Sequence, residues 1–475
     1  MISRLGNAIS AIFRRTSPDP FVLAILLTAI TALLVVIVPT QHSDGTPTAH
    51  TILDAVGFWQ QGFWELLAFA MQMCLILVTG HALASSPPIA RLIGGLAQLP
   101  RNAAQAAALI AAVAMVGGLI NWGLGLIAGA LIARDVGKHL HERNIPHHYP
   151  LLVAAGYLGL LVWHGGMSGS APLKVSNEKD VAEIFAGIDV GFDTIGFNDT
   201  VFSPMNLIIT GGIVLIAIAL IVLLHPGADQ PRKPYGDFDV PAPSAPPESK
   251  RETIPDWLET TPFLSILIAA PMLLWLADFA LYNPTSTTNF PLLPEEPQYA
   301  LRSLGPNQVN LFFLALGLPC HGTPRRYLRA VDDAVRGCSG IILQFPLYAG
   351  IMGMMKYSGL TAELAAFIEA RSTESTLPIL TFINAGIINL FVPSGGGQWA
   401  VQGPIAMQAA HDMGVSYPKM VMAVAYGDQL TNMLQPFWAL PLLGIAGVKA
   451  RDIVGYTAII MMVVALWIIL ALFMF

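Results

Sequence analysis

The sequence predicts an all-α polytopic membrane protein with about 10 to 12 membrane helices in two inverted repeats, some helices being broken or re-entrant. Three observations carry that expectation. The composition is apolar with little charge, charge-free runs long enough to cross a bilayer follow one another, and a motif from the first half returns in the second.

Hydrophobic residues make up 54% of the 475 residues and charged residues only 11%. A soluble domain carries about 25% charged residues, so too little charge is present to cover a surface in water. The formal net charge of -6 is modest, and no basic stripe marks a nucleic-acid partner. Cys74, Cys320 and Cys338 lie far apart in or beside apolar segments. That spacing argues against a disulfide framework or a zinc site and leaves them as small core residues.

The first apolar run, 20–39, is free of charge and long enough to span a hydrocarbon core of about 30 Å. Arg4, Arg14 and Arg15 precede it, so it reads as a first membrane helix with a cytoplasmic amino terminus rather than a cleaved leader. Further spans are expected at 63–83, 103–120, 149–163, 206–224, 262–281, 309–320, 337–357, 377–392, 417–437 and 453–475. Arg91, Arg101, Arg134, Lys138, Arg143, Arg232, Lys233, Lys250, Arg251, Arg325, Arg326, Arg329 and Arg336 then fall on one side. The opposite loops, 40–61 and 283–306, hold only Arg302, as the positive-inside rule requires. Residues 1–225 form an amino-terminal half with its repeat core at 103–175. Residues 226–261 form a cytoplasmic linker rich in proline and charge, expected to have no fold of its own. Residues 262–475 form the second half, with its core at 377–447.

The repeat is the most informative feature. Gly118-Leu-Ile-Asn121 returns as Gly386-Ile-Ile-Asn389, and Tyr149-Pro150 and Tyr417-Pro418 follow at equal intervals. Gly129 matches Gly397. The predicted topology gives the two copies opposite directions, which is the architecture of many secondary transporters, with substrate held at midplane between discontinuous helices. Four stretches rich in glycine and polar residues mark the breaks: 121–125, 163–172, 392–399 and 427–436.

Ser168, Gly169 and Ser170 lie in one break, and Ser394, Gly395, Gly396 and Gly397 in another. Glycine lets a ligand approach the backbone, and a helix that starts there aims its positive end at an anion. Two facing tips would hold a carboxylate without a buried arginine. Close helix packing explains glycines but not their neighbouring serines. With Asn121 these residues form the candidate substrate site. At the equivalent positions Asn121 and Asn389, an amide either ligates an ion or satisfies backbone freed at the break.

Asp428, Asn432 and Gln435 fall near one helical face, and an ionisable group at membrane depth is a functional candidate. His164 adjoins the first glycine-serine break, and an imidazole there is a further candidate. Asn389, Asp428, Asn432, Gln435 and His164 are therefore the candidate coupling-ion residues, with H+ or Na+ as the ion and no cofactor or metal centre. His139, His141, His147 and His148 are expected in a solvated loop, since no cysteine or paired carboxylate stands at ligand spacing. Lys174 is expected as an interfacial anchor and Arg134 at the cytoplasmic border. Few positive charges lie at depth, so one carboxylate on a small apolar body suits the chain better than several. Trp122, Trp163, Trp399 and Trp438 offer a lining for its tail.

With these residues assembled, the chain resembles the bacterial short-chain fatty acid transporter family, part of the wider ion-transporter superfamily. The resemblance runs from Pro18 to the end. It rests on Gly62-Phe-Trp64, Phe69-Ala-Met-Gln-Met73, Val78-Thr-Gly-His-Ala-Leu-Ala-Ser85, Ile120-Asn-Trp-Gly123, Gly166-Met-Ser-Gly-Ser170, Gln344-Phe-Pro346, Val392-Pro-Ser-Gly-Gly-Gly397 and Gln435-Pro-Phe-Trp-Ala-Leu-Pro441. It implies uptake of small monocarboxylates such as butyrate or acetoacetate through a bacterial inner membrane, with paired re-entrant hairpins and a homodimer as one available assembly. Rival readings are a carrier of the same architecture for a dicarboxylate or an aromatic amide, and a passive channel. An intramembrane hydrolase is disfavoured, because a carboxylate dyad needs a second acid opposite Asp428 and Asp135 belongs to the headgroup region. The chain is not expected to be an enzyme.

Overall fold

The computed structural model describes residues 20–41, 47–176, 178–185, 191–227, 231–240, 253–281, 306–335 and 338–475. The amino-terminal arginines, the middle of the linker and the loop carrying Arg302 lie outside the described residues. Apolar runs become helices because a lipid interior offers no water, so each backbone N–H and C=O must bond within its own segment. Apart from a two-residue pairing of Thr40–Gln41 with Pro47–Thr48, the regular structure among the described residues is helical.

Four helical stretches are long and apolar enough to cross a membrane: Ala103–Ile120, Tyr149–Val175, Pro204–Leu223 and Ala450–Met474. Counting each of three bent pairs as one span raises the number to seven among the described residues, below the 10 to 12 expected, and shorter apolar helices lie beside them. Ile254–Thr260 and Pro262–Asp278 form one such pair, bent by 48°. Leu215 and Leu466 are 72% and 69% exposed on two of the long helices, an outward apolar face that only lipid would cover without penalty. The chain is an all-helical polytopic membrane protein.

The two cores follow the same succession. In the first half Ala103–Ile120 ends at Asn121, Trp122–Glu142 leads away, and Tyr149–Tyr157 returns. It then breaks into 3-10 turns at Leu158–Leu161 and Trp163–Gly165 before the short helix Ser170–Val175. In the second half Leu377–Asn389, Gly395–Met413, Tyr417–Thr431 and Pro436–Ala446 repeat that order. Glycine permits the tight crossings: a Cβ at Gly129 would overlap the Gly156 carbonyl, and one at Gly427 the Phe382 carbonyl.

Two expectations change at the end of the molecule that carries Tyr149. His147 and His148 are 2% and 3% exposed, so they are not solvated. Residues 231–240 of the linker are laid across them as a strap. The backbone N–H of Tyr235 donates to His147 Nε2 at 3.0 Å, and that of Lys233 to His148 Nδ1 at 3.0 Å. The far nitrogens meet the Ile145 carbonyl at 2.8 Å and the Tyr456 hydroxyl at 2.9 Å. Each ring must therefore stay neutral to keep its acceptor. Tyr235 and Phe238 pack on the Tyr149 ring at 5.1 and 5.4 Å, and Gly447 lies against Asp239 and Val240.

Burial holds the His147 pKa below its ordinary value, with the Ile145 carbonyl opposing and His141 and Arg232 adding to the depression. The strap's attachment through this ring is full above about pH 6.5 and weakens as pH falls from there toward the depressed value. Tryptic cutting after Arg232 in detergent-solubilised protein should be slow at neutral pH and faster in mild acid. His147→Ala should be cut quickly at both.

Candidate functional site

The first break is closed by Asn121. Its amide oxygen accepts the Gly123 and Leu124 N–H groups at 3.0 and 3.2 Å, capping Trp122–Glu142 at a point where the preceding helix has just stopped. An N-terminus leaves its first N–H groups without intrahelical partners, and in an interior of this kind a side chain must meet them. The Trp122 N–H is taken up by Ser168 Oγ at 3.0 Å. Asn121 and Ser168 thus join one break to the next, and the Asn121 oxygen is committed to capping.

His164 is the centre of the second break. Its backbone N–H donates to Gln429 Oε1 at 3.0 Å, and its Nδ1 accepts the Ser170 N–H at 3.2 Å. The remaining ring nitrogen, Nε2, lies 3.3 Å from Asp428 Oδ1, with both side chains almost wholly buried. Asp428 comes from Tyr417–Thr431 in the second half. The third break completes the group. Gly395, the first residue of Gly395–Met413, sits so close that a Cβ there would lie 2.8 Å from Ser170 Oγ and 2.9 Å from His164 Nε2. Ser394 caps this helix, accepting the Gly397 N–H at 3.3 Å, while a Cβ at Gly396 would meet nothing within 4 Å. A long helix therefore points its positive end at a buried histidine–aspartate pair.

Asn389 gathers the fourth break. Its Nδ2 donates to the Asp428 carbonyl at 2.7 Å, Thr431 Oγ1 at 2.9 Å and Asn432 Oδ1 at 3.0 Å. Gln435 Nε2 donates to the Asn389 carbonyl. Asn389 Oδ1 and Gln435 Oε1 are buried and find no donor among the described residues. Two oxygens of neutral amides in that condition, beside the Asp428 backbone, suit a cation better than they suit each other.

The structure thus brings His164, Ser170, Gly395, Asp428 and Gln429 into one cluster, with Asn389, Asn432 and Gln435 against its lower edge. Other expectations separate. Trp399 lies away from the other indoles, beside Phe185 at 6.3 Å, because its helix turns it toward Gly403. Lys174 pairs with Asp180, and Arg134 Nε donates to Asp135 at 2.7 Å. Gln429 was missed although it stands in the polar stretch, since an amide next to an aspartate has no distinctive spacing. Tyr157 was also missed; its hydroxyl donates to the Asn432 and Gln435 carbonyls at 2.9 and 3.2 Å. The sequence signal for it is Ala154-Ala-Gly-Tyr157, which returns as Ala423-Val-Ala-Tyr426.

Helices interrupted by glycines and buried amides, with a histidine–aspartate pair held between the interruptions, are an arrangement that membrane transporters use. Residues 1–475 match the family described as short chain fatty acid transporter. The chain belongs to that family. It is 38% identical over 463 residues to a protein of Escherichia coli strain K12, with 96% of each chain covered. A Haemophilus influenzae protein is 35% identical over 458 residues, again covering 96% of each. The names of both assign them provisionally to short-chain fatty acid transport. Among solved structures, the chain is similar to the Alcanivorax borkumensis YdaH transporter at 17% identity and a TM-score of 0.43, covering 96% of this chain and 97% of that one. It is also similar to Neisseria gonorrhoeae MtrF at 13% identity and a TM-score of 0.40, covering 97% and 94%.

Asn121→Ala should lower thermal stability in detergent by about 1 kcal/mol, the usual cost of a lost cap, and Asn121→Ser should restore most of it. Asn389→Ala should cost about 1–3 kcal/mol, because it strands buried acceptors.

Proposed function

We propose that the protein is a secondary carrier of small monocarboxylates, such as butyrate or acetoacetate, working by alternating access in a bacterial inner membrane with its amino terminus in the cytoplasm. One observation supports this most directly: His164 and Ser170 of the first half meet Gly395 and Asp428 of the second. In this reading the substrate carboxylate sits between Ser168–Gly169–Ser170 and Ser394–Gly395–Gly396–Gly397, where glycine N–H groups and hydroxyls replace its water. The two repeat cores lie inverted in the membrane, and one unit built from them moves against the rest.

Cation coupling follows from charge. A carboxylate entering the membrane interior alone is strongly disfavoured. His164 Nδ1 accepts the Ser170 N–H, so the ring as held supplies no full positive charge, and an added anion stays uncompensated. A co-bound H+ on the pair, or Na+ held by the Asn389 and Gln435 oxygens with Asn432 and Asp428 beside them, restores neutrality. Helix interruptions of this kind are where transporters place such ions. The loaded carrier then crosses while the ion-only form does so poorly. A homodimer is compatible with this scheme.

Purified protein in proteoliposomes should accumulate labelled butyrate above equilibrium under a sodium or a proton gradient, and the effective gradient names the ion. Asp428→Asn, inserted normally, should reduce accumulation at least tenfold. Equilibration without accumulation under both gradients would identify a passive channel. No butyrate flux beside uptake of a dicarboxylate would move the substrate to a larger anion.

A further inference from the structure

The two repeat cores differ along the seam between their first pair of helices. In the first half that seam is dry. A Cβ at Gly117 would lie 2.8 Å from the Gly125 Cα, and one at Gly129 2.9 Å from the Ala114 Cβ, so Ala103–Ile120 and Trp122–Glu142 pack in direct contact. Counting from Asn121 and Asn389, the second half has Ala385 and Pro393 where Gly117 and Gly125 stand. Val113, Ala130 and Arg134 correspond in the same way to Thr381, Gln398 and Gln402. The glycine pair that closes the first seam is not repeated, and two of its apolar positions become polar.

Gln398 spans the second seam. Its Nε2 donates to the Ala385 carbonyl at 2.9 Å and to Gln402 Oε1 at 2.9 Å. The chain reverses over 390–394, since a continuing helix could not bring Gln398 back to Ala385. Thr381, Ala385 and Asn389 fall four residues apart on one face of Leu377–Asn389, as do Ser394, Gln398 and Gln402 on Gly395–Met413. The Gln398–Ala385 bond thus sets Asn389 toward Ser394 and Thr381 toward Gln402. Thr381, Asn389, Gln398 and Gln402 are all 0% exposed. Yet Thr381 Oγ1, Asn389 Oδ1, Gln398 Oε1 and Gln402 Nε2 find no partner among the described residues. Buried polar atoms normally pair with protein or with bound water, and an unmet one is costly. A row that mixes acceptors with a donor suits water, which gives and takes hydrogen bonds together. From Thr381 to Asn389 the row covers about 12 Å of helix. Leu377 and Ala406, next on the same faces and also 0% exposed, separate it from the exposed turn 373–376.

We propose that this seam holds a file of water molecules and is the route by which the coupling cation reaches Asn389 from the face that the charge pattern leaves outside. The inference rests on the cation-coupling reading above and adds the path. Water in the file meets Thr381, Gln398 and Gln402 in turn, and it serves H+ or Na+ alike. At its inner end the ion finds the Asn389 oxygen, already turned away from protein donors. Leu377 and Ala406 form the apolar closure at the outer end.

The test is labelling of single cysteines by 2-aminoethyl methanethiosulfonate, a small water-borne cation, in a chain whose native cysteines are replaced by alanine. Right-side-out vesicles loaded with free cysteine confine the reagent to the outer face. Intact-protein mass counts the adducts, a readout independent of transport. Gln398→Cys and Gln402→Cys should label at least about tenfold faster than Ala130→Cys, which holds the Gln398 position in the dry seam. Thr381→Cys, close in size to the native side chain, should label likewise and serves if the glutamine variants do not accumulate. Gln402→Leu should raise several-fold the outside cation concentration that half-saturates butyrate uptake. Labelling of all three at the Ala130→Cys rate would overturn the water file and leave the carrier reading standing. Rapid labelling with an unchanged half-saturation in Gln402→Leu would overturn the route alone. Uptake that no cation gradient drives would overturn the coupling reading and this route together.

Discussion

The interior of a membrane holds no water for a backbone group left without a partner, and the breaks in this fold depend on side chains that supply one. Asn121 takes two N–H groups at the start of Trp122–Glu142. Ser168 takes a third. Tyr157 answers the carbonyls of Asn432 and Gln435 where Tyr417–Thr431 gives out. Asn206 supports the same region, donating to the Gly165 carbonyl at 2.9 Å and accepting from the Tyr426 hydroxyl at 2.8 Å. With the backbone satisfied this way, helices can stop inside the molecule and leave buried polar side chains together there.

That site is economical in charge. His164 and Asp428 face each other across elements from opposite halves, and the start of Gly395–Met413 supplies a partial positive charge without a full one. In the proposed scheme such an arrangement binds one anion weakly and needs a cation with it, which is what a carrier that must also release its cargo requires. Asn389 bonds the Asp428 carbonyl and the Asn432 side chain, and Gln435 bonds the Asn389 carbonyl, so these amides are tied to the backbone that carries Asp428.

Local pattern carried much of this. The span Ala103–Ile120 falls where hydropathy placed it, and the helices break at the stretches singled out for glycine, serine and proline, because those residues cannot sustain an apolar helix through the bilayer. The repeated Asn and Tyr-Pro positions fall at matching points of the two cores. What local pattern does not carry is pairing between remote segments. Nothing near His147 or His148 in sequence announces Tyr235 and Lys233, which lie 88 and 85 residues away, and a proline-rich linker reads as unstructured whether or not a strap of it docks. Trp399 resembles the other tryptophans by type and position, and only the rotation of its helix sets it apart. Asn121 was compatible with capping or ligation from sequence, and geometry commits its oxygen to the cap.

In the proposed mechanism the second and third breaks face each other around His164 and Asp428 and receive the substrate there. Its most direct test is the rate of cross-linking between Ser170→Cys and Ser394→Cys, introduced after Cys74, Cys320 and Cys338 are replaced by alanine, in native membranes with and without butyrate. Rapid cross-linking that butyrate slows, and that an unrelated anion leaves alone, is the result this structure requires. Absence of cross-linking in a variant that still takes up butyrate would place the two breaks apart and contradict it.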